Sequence, residues 1–250
     1  MLIVAILGIN SVRAQIDVSF HLGMLLPQGD FAASRIDNGV IAWSSETERA
    51  GAGLGFDAGF NFRYNDYYAE GLGIIATADL FFNTPNSDVR DWEEDVILEL
   101  EGQEELNYFS VDVPQFINIP IMMGLNYEHC YADNIKIWGE AEIGFNIGTL
   151  TNFKLSRSGE YDYYDSFGYE YTTVYSYTPS ASFAFQLGAG VMTNDRYSLG
   201  VHFYSLGSQK IKGIHFEEHF FNGEHYSYEE KFSFKSINPK LLTISVGYHF

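Results

Sequence analysis

The sequence predicts an all-β chain: a closed, eight-stranded antiparallel transmembrane β-barrel of up-and-down topology, with short turns at one end and long hairpin loops at the other. Three observations predict it. Apolar and polar residues alternate with period two in one segment after another, the pattern of strands with one oily face and one wet face. Aromatic residues make up 17% of the chain, with Tyr 18, Phe 21 and Gly 24 against only 6 Pro, a composition of strands and turns. The connections between alternating segments are short and long by turns. A flat sheet with this much exposed apolar surface would aggregate along its edges, and closure removes the edges.

The clearest element is the last one. From Leu242 to Phe250, Leu242, Ile244, Val246, Tyr248 and Phe250 alternate with Thr243, Ser245, Gly247 and His249. At the other end, Leu2 to Ile9 is a short apolar core, and Val12-Arg13-Ala14 before Gln15 suits a cleavage site. Residues 1–14 therefore read as a signal peptide, truncated at its start because a basic n-region is missing, and residues 15–250 as the barrel domain.

The first strand runs from Ile16 to Leu25, the second from Gly53 to Tyr64 and the third from Gly71 to Phe82. The fourth runs from Phe109 to Glu128, with Pro114 and Pro120 inside it. Proline cannot donate to a ladder, so a bulge or a later strand start is expected there. The fifth covers Ile135 to Lys154, the sixth Ser180 to Thr193, the seventh Tyr197 to Leu206, and the eighth is the terminal run. Each is near the ~9–11 residues that cross a bilayer as a tilted strand.

Short turns fall at Asn65-Asp66, Asp133-Asn134 and Asn194-Asp195. Long loops cover Pro27 to Gly51, Asn83 to Tyr108, Ser156 to Pro179 and Gly207 to Lys240. In bacterial outer-membrane barrels short turns face the periplasm and long loops face outward, so both termini are expected in the periplasm. Tyr64, Tyr67, Tyr68, Tyr127, Trp138, Tyr197, Tyr248 and Phe250 gather at the short-turn end, as an aromatic girdle would. In the last long loop Asn222-Gly223, flanked by alternation, predicts a hairpin that extends the seventh and eighth strands as a ribbon.

Composition excludes several classes. The formal net charge of −19 argues against nucleic acid as a partner. The single Cys130 excludes an internal disulfide framework and a cysteine-based zinc site. No run of ~18 apolar residues exists to make a transmembrane helix. A mean hydropathy of −0.11 does not argue against a barrel, whose strands need apolar residues only at alternate positions.

With these elements in place, the chain resembles the small bacterial outer-membrane β-barrel family, in its PorT-like or "porin family" branch. The residues that carry the resemblance are Pro27-Gln28-Gly29-Asp30-Phe31-Ala32, Phe116-Ile117-Asn118-Ile119-Pro120-Ile121, and Tyr248-His249-Phe250. The resemblance implies the fold, an outer-membrane location among lipid and lipopolysaccharide, and insertion by the barrel assembly machinery. Leu242, Ile244, Val246, Tyr248 and Phe250 would be the assembly signal. It implies no specific activity and no cofactor.

Chemistry has two places to reside. An eight-stranded barrel is about wide enough to be filled by its own side chains. Asp17, Asp57, Asp79, Glu128, Glu140 and Glu142 point inward, with Arg63 and Lys136 as cationic partners. Asp57, Arg63, Asp79, Lys136, Glu140 and Glu142 are therefore expected to form a lumen polar network that plugs the barrel, some carboxylates being protonated. The alternative is a narrow cation-selective or small-solute pore. The long loops are the second place. The second is acidic, with Asp88, Asp91, Glu93, Glu94, Asp95, Glu99, Glu101, Glu104 and Glu105 against Arg90, and the third is a tyrosine run from Tyr161 to Tyr177. Such surfaces suit binding of an extracellular ligand, and equally a solvated acidic surface that keeps the protein from self-association.

Two motifs resemble catalytic ones. His215-Phe216-Glu217-Glu218-His219 matches H-x-x-E-H. That motif works on a helix. On a strand His215, Glu217 and His219 share a face instead, a candidate surface metal site. His225-Tyr226-Ser227 offers a base and a nucleophile on one strand face, the pairing a lipid A-modifying enzyme would need, but near a loop tip and away from acyl chains. The reading is an integral outer-membrane barrel without enzymatic activity, with a structural or surface-binding role.

Overall fold

The computed structural model describes residues 15–33, 50–92, 106–161, 167–221 and 223–250. The predicted signal peptide, most of the acidic run of the second long loop, and Asn222 lie outside the described residues. The strands are β1 (Gln15–Pro27), β2 (Ala52–Ala69), β3 (Leu72–Pro85), β4 (Leu106–Asp112), β5 (Phe116–Ala132), β6 (Ile135–Leu150), β7 (Phe153–Tyr161), β8 (Phe167–Tyr177), β9 (Ser180–Thr193), β10 (Tyr197–Ser205), β11 (Gln209–Phe221), β12 (Glu224–Ile237) and β13 (Lys240–His249). Eight of them close a barrel in the order β1-β13-β10-β9-β6-β5-β3-β2. The other five form a second antiparallel sheet, β12-β11-β8-β7-β4, at the long-loop end.

Closure is made by the first and last strands, from Ser19↔His249 to Pro27↔Leu241. The alternation read from the sequence sorts side chains as expected for a closed barrel. Ile121, Met123, Ile143, Phe145, Phe183 and Val246 are exposed outside, while Asn118, Asn126, Glu140, Glu142, Gln186 and Thr243 are buried inside. An apolar exterior around a polar interior inverts a soluble barrel and is the arrangement that lipid demands.

The structure corrects four sequence expectations. The first short turn lies at Glu70–Gly71, not Asn65-Asp66: β2 continues to Ala69, and Gly71 takes φ +78. Asn65 is a strand residue whose side chain donates to Glu128 Oε1 (3.1 Å) and accepts from Asn126 Nδ2 (2.7 Å). The Asn194-Asp195 turn is where the sequence put it, with φ 53 and 54 as a tight hairpin requires.

The predicted fourth strand is two strands. β4 belongs to the second sheet, and β5 starts at Phe116, after the break that holds Pro114. Pro120 stays within β5 opposite Asn146, and on its other side the ladder to β3 lapses between Ala78↔Ile121 and Phe81↔Asn118. The missing N–H therefore costs no ladder bond. The predicted fifth strand likewise divides into β6, in the barrel, and β7, in the second sheet.

The fourth correction concerns the girdle. Tyr127, Tyr197, Tyr248 and Phe250 are exposed at the short-turn end. Trp138 is not among them, because it shares strand parity with Glu140 and is buried in the lumen.

The apolar core of the molecule sits at the mouth between the barrel and the second sheet. Leu25, Phe81, Phe116, Leu206 and Leu241 come from the barrel side, and Val111, Phe153, Ile211 and Ile237 from the second sheet. The 3-10 turn at Gly29–Phe31 places Phe31 in this core, edge-on to Phe116 at 5.1 Å. The loops therefore cover the mouth with a packed layer that continues the barrel core.

Candidate functional site

Two sites emerge: the polar lumen below the apolar mouth, and the outer part of the second sheet, called the crown sheet here.

In the lumen, Arg63 on β2 reaches Glu140 on β6, with Nη2 donating to Oε2 at 3.2 Å, and its guanidinium lies 5.4 Å from the centroid of the Trp138 ring. Glu140 also accepts from Gln186 Nε2 at 2.7 Å and meets His202 Nδ1 at 3.1 Å. Glu142, one lumen position along β6, accepts from Thr77 Oγ1 at 3.0 Å. Asp79 accepts from the Tyr204 hydroxyl at 3.3 Å. His21 Nε2 stands 3.2 Å from Asp79 and 3.7 Å from Asp57. Small residues leave the room: a Cβ on Gly23 would run into the Asp57 carboxylate, and one on Gly59 into that of Asp79.

Of the residues singled out in the sequence, Arg63 and Glu140 meet directly, Glu142 lies beside them, and Asp57 and Asp79 join through His21. Lys136 is elsewhere. It sits at the short-turn mouth, 2.7 Å from Asp195 and 3.8 Å from Glu128. Beyond Arg63 and Lys136, the cations expected from the sequence, three histidines line the lumen. His21 and His202 line the central layer, and His249 Nδ1 lies 2.7 Å from Asp17 at the short-turn end. The signal is legible in the sequence: His21 falls between Phe20 and Leu22, His202 between Val201 and Phe203, and His249 between Tyr248 and Phe250, so strand parity turns all three inward. Four buried carboxylates, Asp57, Asp79, Glu140 and Glu142, share the layer with one permanent cation, Arg63, among the described residues. Both oxygens of Asp57 and one each of Asp79 and Glu142 find no hydrogen-bond donor among the described residues.

The crown sheet carries a dense aromatic face. Register places Tyr175, His215 and Glu230 in one row across β8, β11 and β12, and Tyr171, His219 and Tyr226 in another. Tyr175 stacks on His215 at 4.2 Å, Tyr171 meets His219 edge-on at 4.5 Å, and Arg157 lies 4.7 Å over Tyr171. Between the rows Glu217 accepts from the Tyr171 hydroxyl at 3.3 Å and faces His215 Nε2 at 3.2 Å and His219 Nε2 at 3.6 Å. Glu230 accepts from the Tyr228 hydroxyl at 2.6 Å and pairs with His215 Nδ1 at 3.4 Å, and these two contacts hold its carboxyl below the usual carboxylate range. Burial pushes the Tyr175 hydroxyl up.

His215, Glu217 and His219 do share this face, as strand spacing predicts. However, four strand residues span about 13 Å, and among the described residues no three His, Cys, Asp or Glu side chains gather as a metal centre. His215 is already committed to Tyr175 and Glu230. His225, beside the hairpin turn, meets Glu218 through Nε2 at 2.5 Å.

No protein-family model matches the chain, and no curated protein matches it. Among solved structures it is similar to a major outer membrane protein from Thermus thermophilus, with TM-score 0.46 and 12% identity over 94% of this chain and 100% of that one. It is similar to the outer membrane protein OprG from Pseudomonas aeruginosa, with TM-score 0.39 and 14% identity over 95% and 97% of the two chains. A third is Ail, the attachment invasion locus protein of Yersinia pestis, with TM-score 0.37 and 10% identity over 94% and 99%.

Proposed function

We propose that this chain is an integral outer-membrane barrel of the small-barrel family, with its crown sheet outside the cell, and that it acts as a surface-binding protein, not an enzyme. The outward apolar band supports the membrane reading. Placing the crown outside puts both termini in the periplasm. The observation that carries the binding reading is the crown itself. Three of the long connections pair into one sheet that covers the mouth and displays tyrosine, histidine and glutamate side chains on ordered strands. Solvated loops with no role beyond keeping the protein soluble would not need this order. Tyrosine offers contact area and a hydroxyl at little entropic cost, which suits a recognition surface.

The test is removal of 214–232, the outer part of the β11–β12 hairpin. The shortened chain is expected to fold into lipid vesicles with the same heat-dependent gel mobility while losing surface adhesion by cells that display it. Failure to insert would make the hairpin a structural element of the barrel and sink the recognition reading.

A narrow cation-selective pore is the second reading. The carboxylate oxygens of Asp57, which accept no hydrogen bond among the described residues, favour it, because an acidic, incompletely satisfied lining attracts cations. The packed apolar mouth weighs against it.

A further inference from the structure

The acidity of this chain is unevenly spread. Its net charge is −19, yet residues 197–216 and 231–250 contain no Asp or Glu. Into these two stretches fall Lys210, Lys212, Lys231, Lys235 and Lys240, five of the 14 Lys and Arg residues. The two stretches are joined in space, because β10 pairs β13 and β11 pairs β12.

All five lysines point outward. On β11, Lys210 and Lys212 are exposed and alternate with buried Gln209, Ile211 and Gly213. On β12, Lys231 and Lys235 are exposed and alternate with Phe232 and Phe234, which pack against the mouth core. Lys240 opens β13, exposed beside buried Leu241. Register makes them neighbours: Lys212 lies opposite Ser233, so Lys231 and Lys235 are its two diagonal partners, and Lys210 lies opposite Ser236. Diagonal neighbours on a sheet are about 7–8 Å apart, close enough for the like charges to repel and to favour an anionic partner. None of the five ammonium groups is in an ion pair among the described residues. The nearest carboxylate along this face of β12 is Glu229, two positions beyond Lys231 and toward the tip.

Lys240 stands two residues above Leu242, where the apolar run of β13 begins. Its neighbours on β10 continue downward with exposed Val201 and Leu199. Lys240 therefore lies where the apolar band ends and the crown begins, the depth of the lipid headgroups, and the other four lysines step outward from it along β11 and β12, Lys231 lying four residues, about 13 Å of strand, beyond Lys235. We infer that this lysine collar binds the phosphate groups of phosphorylated glycolipid in the leaflet that surrounds the crown. Clustered lysines at headgroup depth are attracted by anionic lipid with little need for fixed geometry. This rests on the outer-membrane reading with the crown outside.

The test uses the full chain, folded in detergent and incubated with bisphosphorylated lipid A or with the same lipid freed of its phosphates, and native mass spectrometry counts bound lipid. The wild-type protein is expected to retain the phosphorylated form about tenfold better. A variant with Lys210→Gln, Lys212→Gln, Lys231→Gln, Lys235→Gln and Lys240→Gln is expected to lose that preference. Equal retention of the two lipids by the wild type, or a preference that survives neutralisation, overturns the collar. If the fivefold variant does not fold, the Lys210→Gln/Lys212→Gln pair and the Lys231→Gln/Lys235→Gln pair are each expected to show a severalfold loss. The wild-type comparison alone still decides. Wild type that cannot fold into phosphatidylcholine vesicles would bring down the membrane reading and the collar with it. Folding there without a phosphate preference would sink the collar alone.

Discussion

Arg63 is held between a carboxylate and an indole ring, Glu140 on one side and Trp138 on the other, and both come from β6. Replacing it with leucine leaves Glu140 facing Gln186 and His202 without its permanent counter-charge. Breaking one partner of a buried pair costs about 3–5 kcal/mol. Arg63→Leu is therefore expected to lower the denaturant midpoint of the vesicle-folded barrel substantially, and Arg63→Leu with Glu140→Leu to recover most of the loss. A double variant no better than the single would show that the pair does not act as a unit. The same layer constrains Gly200, where a Cβ would lie 2.8 Å from the Trp138 ring and 2.7 Å from His202 Nε2. Gly200→Ala is expected to cost about 1–3 kcal/mol by overpacking, and Trp138→Leu in the same chain to relieve the part owed to the indole, the clash with His202 remaining.

At the crown, Glu230 titrates differently from an isolated glutamate. Its carboxyl is lowered by Tyr228 and His215, so its contribution to the folded crown is present above the ordinary glutamate range and is lost as pH falls through the lowered value. Amide exchange in β11 and β12 should therefore accelerate below about pH 4.5, the unperturbed glutamate value. Glu230→Gln should flatten that acid limb. A variant with an unchanged pH profile would assign the acid sensitivity to another group.

Among elements, those with strict period two were legible in the sequence, and those whose strands pass from one sheet to another were not. β9, β10 and β13 alternate cleanly against a single polar lumen, so periodicity alone located them. β5 and β6 do so as well, but the sequence continues to alternate into β4 and β7. A half-buried strand looks the same whether its partner is a barrel wall or a crown sheet. Only Pro114 marked the break before β5, and nothing comparable marks Thr151 and Asn152 between β6 and β7. The lumen site was legible to the same degree. Parity gave its members, but not which carboxylate meets which cation, since that depends on the shear of the closed barrel. Pro120 tests the ladder argument. Because the β3 side already lapses there, Pro120→Ala is expected to change stability by no more than ~0.5 kcal/mol. Ile143→Pro, within the unbroken β6–β9 ladder, is expected to prevent folding as read by heat-dependent gel mobility.

The whole molecule is a polar cylinder with one apolar end, and this asymmetry decides between its two functional readings. Charged side chains fill the lumen from Asp17 to Asp79, but any ion moving beyond Asp79 meets Leu25, Phe81, Leu206 and Leu241, with the crown strands packed on top. An apolar constriction of this kind blocks ions by excluding their water. A planar bilayer containing the folded wild type is therefore expected to stay silent. Removing the seal while keeping the polar lumen should change that. Phe81→Ser with Leu241→Ser, both buried at the mouth, places hydroxyls where the rings and methyls exclude water. If the seal is the barrier, this variant passes a small cation-selective current, and Glu140→Gln with Glu142→Gln reduces its selectivity, since those carboxylates supply the field. If the seal variant folds but remains silent, the barrier is the charged network itself, whose side chains occupy the lumen too tightly for any hydrated ion. A current through the wild type would instead show that the mouth opens. The crown would then be a gate over a cation path, and its tyrosine face would be the place where a ligand closes it.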